Sequence, residues 1–182
     1  MNEELKYRFC DLGMQYYVAG RLAARAGQAP VHGNLLHHAV EMFLKGALLD
    51  TVSVDQLRKR PYSHDLAALW DGFKSKESDA TLDRFNAAIQ GLHAFESIRY
   101  PDEIVRKGMA TGVAWAPDDI SFEGGTLQLP QYIVHINEID ELVVEILRRA
   151  SVNPKAMTMK MSNNVARESF LYQNPFAAAW GL

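Results

Sequence analysis

Apolar residues recur at three- and four-residue intervals along most of this chain, which is the spacing of one face of an α-helix. The clearest stretch is "GNLLHHAVEMFLKGALLD", in which the pattern runs from about Asn34 to Asp50. Four further segments share it: Glu3–Gln28, Asp65–Phe73, Thr81–Tyr100 and Asn137–Arg149. Helices of this kind bury their apolar stripes against one another, so the sequence predicts an all-α fold, an up-and-down helical bundle of four to five helices.

One segment before the last long helix has a different pattern. Gly124-Gly125 is flanked on both sides by alternating apolar residues, Ile120 and Phe122 before it and Leu127 and Leu129 after it. This alternation is typical of two strands joined by a turn, so a small β-hairpin is predicted at about residues 112–135. We expect one bundle domain over residues 1–150 and a C-terminal tail over residues 151–182.

The helical spacing also predicts which side chains face the core of the bundle. On the first helix the stripe passes through Leu5, Phe9, Leu12, Tyr16 and Ala19. The full set of predicted inner residues is Leu12, Tyr16, Leu36, Val40, Phe43, Leu44, Leu66, Leu69, Phe85, Ile89, Leu92, Leu142 and Ile146.

Composition limits the classes of function. The chain has 182 residues, 48% of them hydrophobic, which is enough for one domain with a substantial core. Its formal net charge of -3 predicts no general attraction to nucleic acid or to an anionic membrane. The one cysteine, Cys10, cannot form an internal disulfide bond, which is typical of a reducing compartment. No run approaches the ~20 apolar residues of a membrane span, so we expect a cytoplasmic protein without membrane contact.

The C-terminal tail concentrates large apolar side chains after a polar stretch: Phe170, Leu171, Tyr172, Phe176 and Trp180. A free tail would expose this apolar surface to water, which is unfavourable. The tail is therefore expected to pack on the bundle or on another chain. The second possibility favours a homo-oligomer, with a dimer as the simplest form.

A polar stripe interrupts the most apolar helix. At 100° per residue, His38, Glu41 and Lys45 fall within about 60° of arc beside the apolar face. Side chains at such a border are half buried and usually hydrogen-bonded. We interpret them as a structural polar seam whose partner is the later "HDL" segment, with His64 reaching across and Asp65 capping the third long helix.

Other interpretations of this stripe stay open. His38 oriented by Glu41 has the chemistry of a general base, and Lys45 has a charge that suits a phosphate. A metal site is not predicted, because His37, His38 and Glu41 do not reproduce H-E-x-x-H and no further ligand cluster completes them. Phosphate-binding loops and dinucleotide fingerprints are absent from the sequence, so no cofactor is expected.

Three segments in this order resemble the HEPN superfamily: "HAVEMFLKGALL", "SHDLAALW" and "IRYPDEI", with "YYVAGRLAARAGQAPVHG" before them. The resemblance covers about Met14 to Asp102, with Asn137 to Ala150 as the last helix. It implies a helical bundle, often dimeric. Many members are metal-independent RNases of toxin–antitoxin, defence and stress systems. Their catalytic mark is an Arg followed four to six residues later by a His, and the Arg binds phosphate.

This chain departs from that mark. Arg99 is followed by "YPDEIVRKG" without a His, and neither Arg148 nor Arg149 has one in range. Arg58 and His64 have a similar spacing, but they straddle Pro61 and a turn. The favoured hypothesis is therefore a non-catalytic HEPN-like module that binds a nucleotide, RNA or a protein, in a defence, stress or toxin–antitoxin setting.

The alternative hypothesis is a metal-independent HEPN-type endoribonuclease with an atypical site. Its candidate catalytic residues are Arg58, His64 and His38. Under either hypothesis the candidate phosphate ligands are His38, Lys45, Arg99 and Arg106, the last two lying near Tyr100.

Overall fold

The computed structural model describes residues 2–107, 111–115, 132–158, 161 and 163–182. These residues are mostly helical, as the sequence predicts. The α-helices are α1 Asn2–Arg25, α2 Val31–Leu48, α3 Val54–Leu57, α4 Leu66–Glu77, α5 Asn86–Ala94, α6 Pro101–Lys107, α7 Ile136–Arg149, α8 Pro154–Thr158 and α9 Asn164–Leu171. Short 3₁₀ helices cover Ala80–Phe85, Phe95–Ile98 and Ala177–Trp180. None of the helices in the described ranges is long and apolar enough to cross a membrane.

Side-chain caps define where several helices begin. Ser53 and Gln56 form a reciprocal capping box at α3, in which each side chain accepts from the other residue's backbone amide. Asp65 accepts from the amide of Ala68 at 3.0 Å and so begins α4, as predicted. The predicted fourth helix is divided: α5 lies between two 3₁₀ segments, and α6 starts at Pro101, a residue suited to the first helical position.

The two described strands form a small parallel sheet. β1 is Thr111–Ala114 and β2 is Tyr132–His135, with Thr111 opposite Tyr132 and Ala114 opposite His135. A β-hairpin has antiparallel strands, so this sheet is not the predicted hairpin. Parallel strands need a longer connection that returns to the same end. The predicted turn at Gly124-Gly125 and its flanking apolar residues lie outside the described part of the chain.

Helices α1 and α2 pack closely because glycines lie between them. A Cβ atom on Gly20 would stand 2.8 Å from Cγ of Leu36, and one on Gly13 would stand 3.1 Å from the Phe43 ring. A larger residue at Gly20 would force the two helices or the Leu36 side chain to shift, and one at Gly13 would make an unusually tight contact with the Phe43 ring. The glycines thus let Leu36 and Phe43, both without exposed surface, fill the contact.

The face that α1 turns to the core differs from the prediction. Leu12 is 40% exposed and Tyr16 is half-buried, whereas Tyr17 and Arg21 have no exposed surface. The buried face is displaced by about one residue, or ~100° of helix rotation. Contacts with other parts of the chain explain this displacement, because they satisfy the buried polar side chains of α1. Lys6, for instance, donates to Asp50 at 3.1 Å. The other eleven predicted inner residues are buried.

The C-terminal aromatic residues pack on α1 of the same chain. Phe170 and Trp180 are 0% and 1% exposed, and both rings contact Tyr17, with centroid distances of 5.8 and 6.1 Å. Phe170 and Trp180 also meet edge to face at 5.2 Å, an arrangement favoured by aromatic quadrupoles. The tail therefore covers one side of α1, and a groove remains beside it.

Candidate functional site

Glu41 is the centre of a polar cluster on α2. Its side chain has no exposed surface, although the residue type is almost never fully buried unless it is paired. Lys45, one turn later, donates to Oε1 at 2.6 Å. His38, one turn earlier, places Nδ1 at 3.2 Å from Oε2. Both carboxylate oxygens are therefore satisfied by residues of the same helix.

A third basic side chain arrives from the turn between α3 and α4. His64 has a left-handed backbone, with φ of 58°, and its Nδ1 lies 3.3 Å from Oε1 of Glu41. Its side chain is 57% exposed, compared with 22% for His38. The structure thus brings together His38, Glu41, Lys45 and His64. Asp65 is not part of this group, because its carboxylate caps α4.

The surroundings of Glu41 keep it ionised. Burial acts to raise the pKa of this carboxyl, but hydrogen bonds from His38 and Lys45 and the charges of Lys45 and His64 outweigh it. The resulting pKa is lowered from 4.5 to about 2. The cluster therefore holds one buried negative charge, which the adjacent basic side chains stabilise.

His37 lies on the same helix and faces the core, and its ring is the middle one in a row of three imidazole rings. The ring centroids of His37 and His38 are 5.6 Å apart, and those of His37 and His93 are 6.3 Å apart. Burial lowers the pKa of His37, although its Nδ1 lies 3.1 Å from the carbonyl oxygen of Leu92. A neutral His37 fits this core position and leaves the charged chemistry to the outer residues.

The predicted phosphate ligands are already paired with carboxylates. Lys45 is held by Glu41, as described above, and its side chain is only 9% exposed. Arg99 contacts Glu96 at 3.3 Å, and Arg106 contacts Glu103 at 2.8 Å. An anion would have to compete with these acids, which weakens the case for a phosphate site. Arg58 is an exposed residue after α3 and is not part of the cluster around Glu41.

The sequence did not point to a second buried ionic group. Arg21 on α1 and Asp140 on α7 have no exposed surface and form a salt bridge at 2.5 Å. Tyr17 donates its hydroxyl to Asp140, and Arg21 also donates to the carbonyl oxygens of Ser169 and Tyr172. The available signal was Arg21 within the apolar run "YYVAGRLAA" and Asp140 between the apolar positions of "INEIDELVVEI". This group links α1 and α7 to the C-terminal segment, and its two charged side chains have no exposed surface.

An apolar groove runs between α1 and the C-terminal segments. It has a volume of about 500 Å³, and the described residues lining it are Asp11, Met14, Gln15, Val18, Ala19, Leu22, Met157, Met161, Asn163 and Ala166. A second depression of about 390 Å³ shares Asp11 and Met157 and extends along α1 to Glu4. Together they follow most of one exposed face of α1. A surface of this kind suits contact with another protein.

Substituting Glu41 tests the structural importance of the polar cluster. Glu41→Gln should lower the free energy of unfolding by about 3 kcal/mol at pH 7, because Lys45 loses its buried counter-charge. The stabilisation by an ionised Glu41 is present above pH 4.5 and is lost as the pH falls through about 2. The difference between the proteins in urea unfolding should therefore shrink from pH 5 towards pH 2.

Glu141→Gln provides the control. This glutamate pairs with Arg84 at 2.9 Å, but its side chain is 40% exposed, so the change should cost no more than about 1 kcal/mol. Equal stability losses for the two substitutions would contradict a special role for the buried charge at Glu41.

The chain matches no protein-family model, no curated protein and no solved structure.

Proposed function

We propose that this chain is a non-catalytic, HEPN-like binding module that engages protein, and that its apolar groove receives a second copy of the chain. The groove on α1 is the observation that carries this proposal. Among the described residues that line the larger part of it, Asp11 is the one charged residue, and it is acidic. Such a lining favours apolar protein side chains over the phosphates of a nucleotide or RNA.

The distribution of residues along α1 favours a second copy as the occupant. From Met14 to Leu22 the groove lining on α1 has no charged side chain, whereas Asp11 and the Glu4–Arg8 ion pair lie nearer the other end of the helix. A patch that is poor in charge and bordered by charged residues is the usual anatomy of a protein interface. Tyr7 and Leu22 are 42% and 41% exposed on this face, about 22 Å apart along the helix.

A two-fold axis near Met14 would place Leu22 of each copy close to Tyr7 of the other. Two-fold interfaces require such a self-complementary patch. The resemblance to HEPN domains also implies a dimer. The same resemblance implies a defence, stress or toxin–antitoxin setting, which is part of the proposal.

Two matched leucines of α1 test the dimer. Leu22 is 41% exposed and lines the groove. Leu12 is 40% exposed, but its side chain points about 80° away from that of Leu22 around the helix. Sedimentation of the parent protein at about 50 µM should give twice the chain mass of 20.4 kDa. Leu22→Glu should weaken the dimer at least ~30-fold and give monomers, because the glutamate would be buried in an apolar contact.

Leu12→Glu should leave the dimer intact. A monomeric parent protein at this concentration would refute the second copy as occupant. Equal effects of the two substitutions would refute the groove as the interface.

A specific observation favours the endoribonuclease alternative. His38 lies on the same helix as Glu41, and His64 comes from the turn before α4; their ring centroids are 6.4 Å apart, and both are partly exposed. Two imidazoles at this distance can act as general base and general acid. If this alternative holds, the protein should cleave RNA in the presence of EDTA, and His64→Ala should abolish cleavage without lowering the melting temperature.

A further inference from the structure

The residues around Glu41 also have the composition of a metal site. Two imidazole nitrogens and one carboxylate oxygen form one of the common ligand sets for zinc. The sequence predicts no metal here, because His37, His38 and Glu41 are an incomplete set on one helix. His64, from a distant turn, supplies the third ligand that the helix lacks.

Each histidine places Nδ1 near one oxygen of Glu41, at a distance close to that between two ligands of a coordinated ion. Ligands bound at ~2.0–2.1 Å in a tetrahedral site lie about 3.4 Å from one another. The observed separations are 3.2 Å between His38 Nδ1 and Glu41 Oε2, and 3.3 Å between His64 Nδ1 and Glu41 Oε1. One ligand atom from each of the three residues lies within 4.8 Å of the others. A small shift of the exposed His64 turn would complete the set.

The position of the cluster allows an ion to enter. Glu41 closes the inner side, whereas His38 and His64 are 22% and 57% exposed on the outer side. A metal with these three protein ligands keeps its fourth position towards water. Open positions of this kind distinguish exchangeable or catalytic sites from closed structural ones.

We propose that His38, Glu41 and His64 bind one divalent transition-metal ion, with Zn²⁺ as the best fit. Lys45 tunes this site. Its ammonium group lies 2.6 Å from Oε1 of Glu41. The other carboxylate oxygen, Oε2, is the one that contacts His38. A positive charge so close repels a cation, so the affinity is moderate, with a dissociation constant on the order of 1–10 µM. The site is separate from the α1 groove and does not depend on the proposed dimer.

Zinc titration of untagged, EDTA-treated and dialysed protein tests the proposal. Calorimetry with ZnCl₂ should show one ion per chain, and Co²⁺ should give the visible absorption of a four-coordinate complex. His64→Ala and His38→Ala should each weaken Zn²⁺ binding at least ~30-fold. Lys45→Gln should tighten it several-fold, since the repelling charge is removed. A purely structural seam would give no such increase.

His135→Gln is the control for unspecific histidine binding, because His135 lies on β2 and is not part of the cluster. It should leave the affinity unchanged. His64 is exposed enough that its removal should not disturb folding, which the melting temperature of His64→Ala will verify. Binding weaker than about 300 µM, or an affinity that His64→Ala leaves unchanged, would overturn the proposal.

Discussion

Phe43→Ala should lower the free energy of unfolding by about 3–5 kcal/mol. Phe43 has no exposed surface and lies in the contact between α1 and α2, against Gly13. Removing the ring leaves a cavity that these helices cannot easily close, because both are held by many other contacts. Urea unfolding followed by circular dichroism measures the loss directly, and the melting temperature should fall in parallel.

Tyr100→Ala is the matched control for the loss of an aromatic ring. Tyr100 is 61% exposed, so its removal should change stability by no more than about 0.5 kcal/mol. A Phe43→Ala protein that unfolds at the urea concentration of the parent would contradict the placement of α2 at the centre of the core.

Arg21→Met should cost a similar amount, about 3–5 kcal/mol. Methionine keeps much of the side-chain volume but leaves Asp140 as a buried charge without its cation. It also removes the donors to the carbonyl oxygens of Ser169 and Tyr172, so the tail loses its hydrogen bonds to Arg21 and keeps only its packing against α1. Urea unfolding should show the loss of stability, and proteolysis at low protease concentration should cut the tail first.

A double variant separates the charge effect from the loss of packing. Arg21→Met combined with Asp140→Asn should be more stable than Arg21→Met alone, because the stranded charge is gone. Arg8→Met is the surface control, since the Arg8 side chain is 71% exposed in its pair with Glu4 and should contribute less than about 1 kcal/mol. Equal costs at Arg8 and Arg21 would show that the buried salt bridge has no special weight.

Local patterns in the sequence were enough to predict several features. The apolar spacing of α2 places Leu36, Val40 and Phe43 in the core, where they are found. The cap at Asp65 is likewise visible in the sequence. Each depends on contacts within a few residues or on one strongly apolar face, which the rest of the fold reinforces.

Features that depend on distant partners were not predictable in the same way. α1 has apolar residues on more than one side, and its buried face is determined by the contacts of Gly13 and Gly20 with α2 and by the salt bridge to Asp140. The parallel pairing of β1 with β2 depends on a connection whose path no local pattern reveals. In each case the free energy comes from groups far apart in sequence, so spacing alone cannot identify the partner.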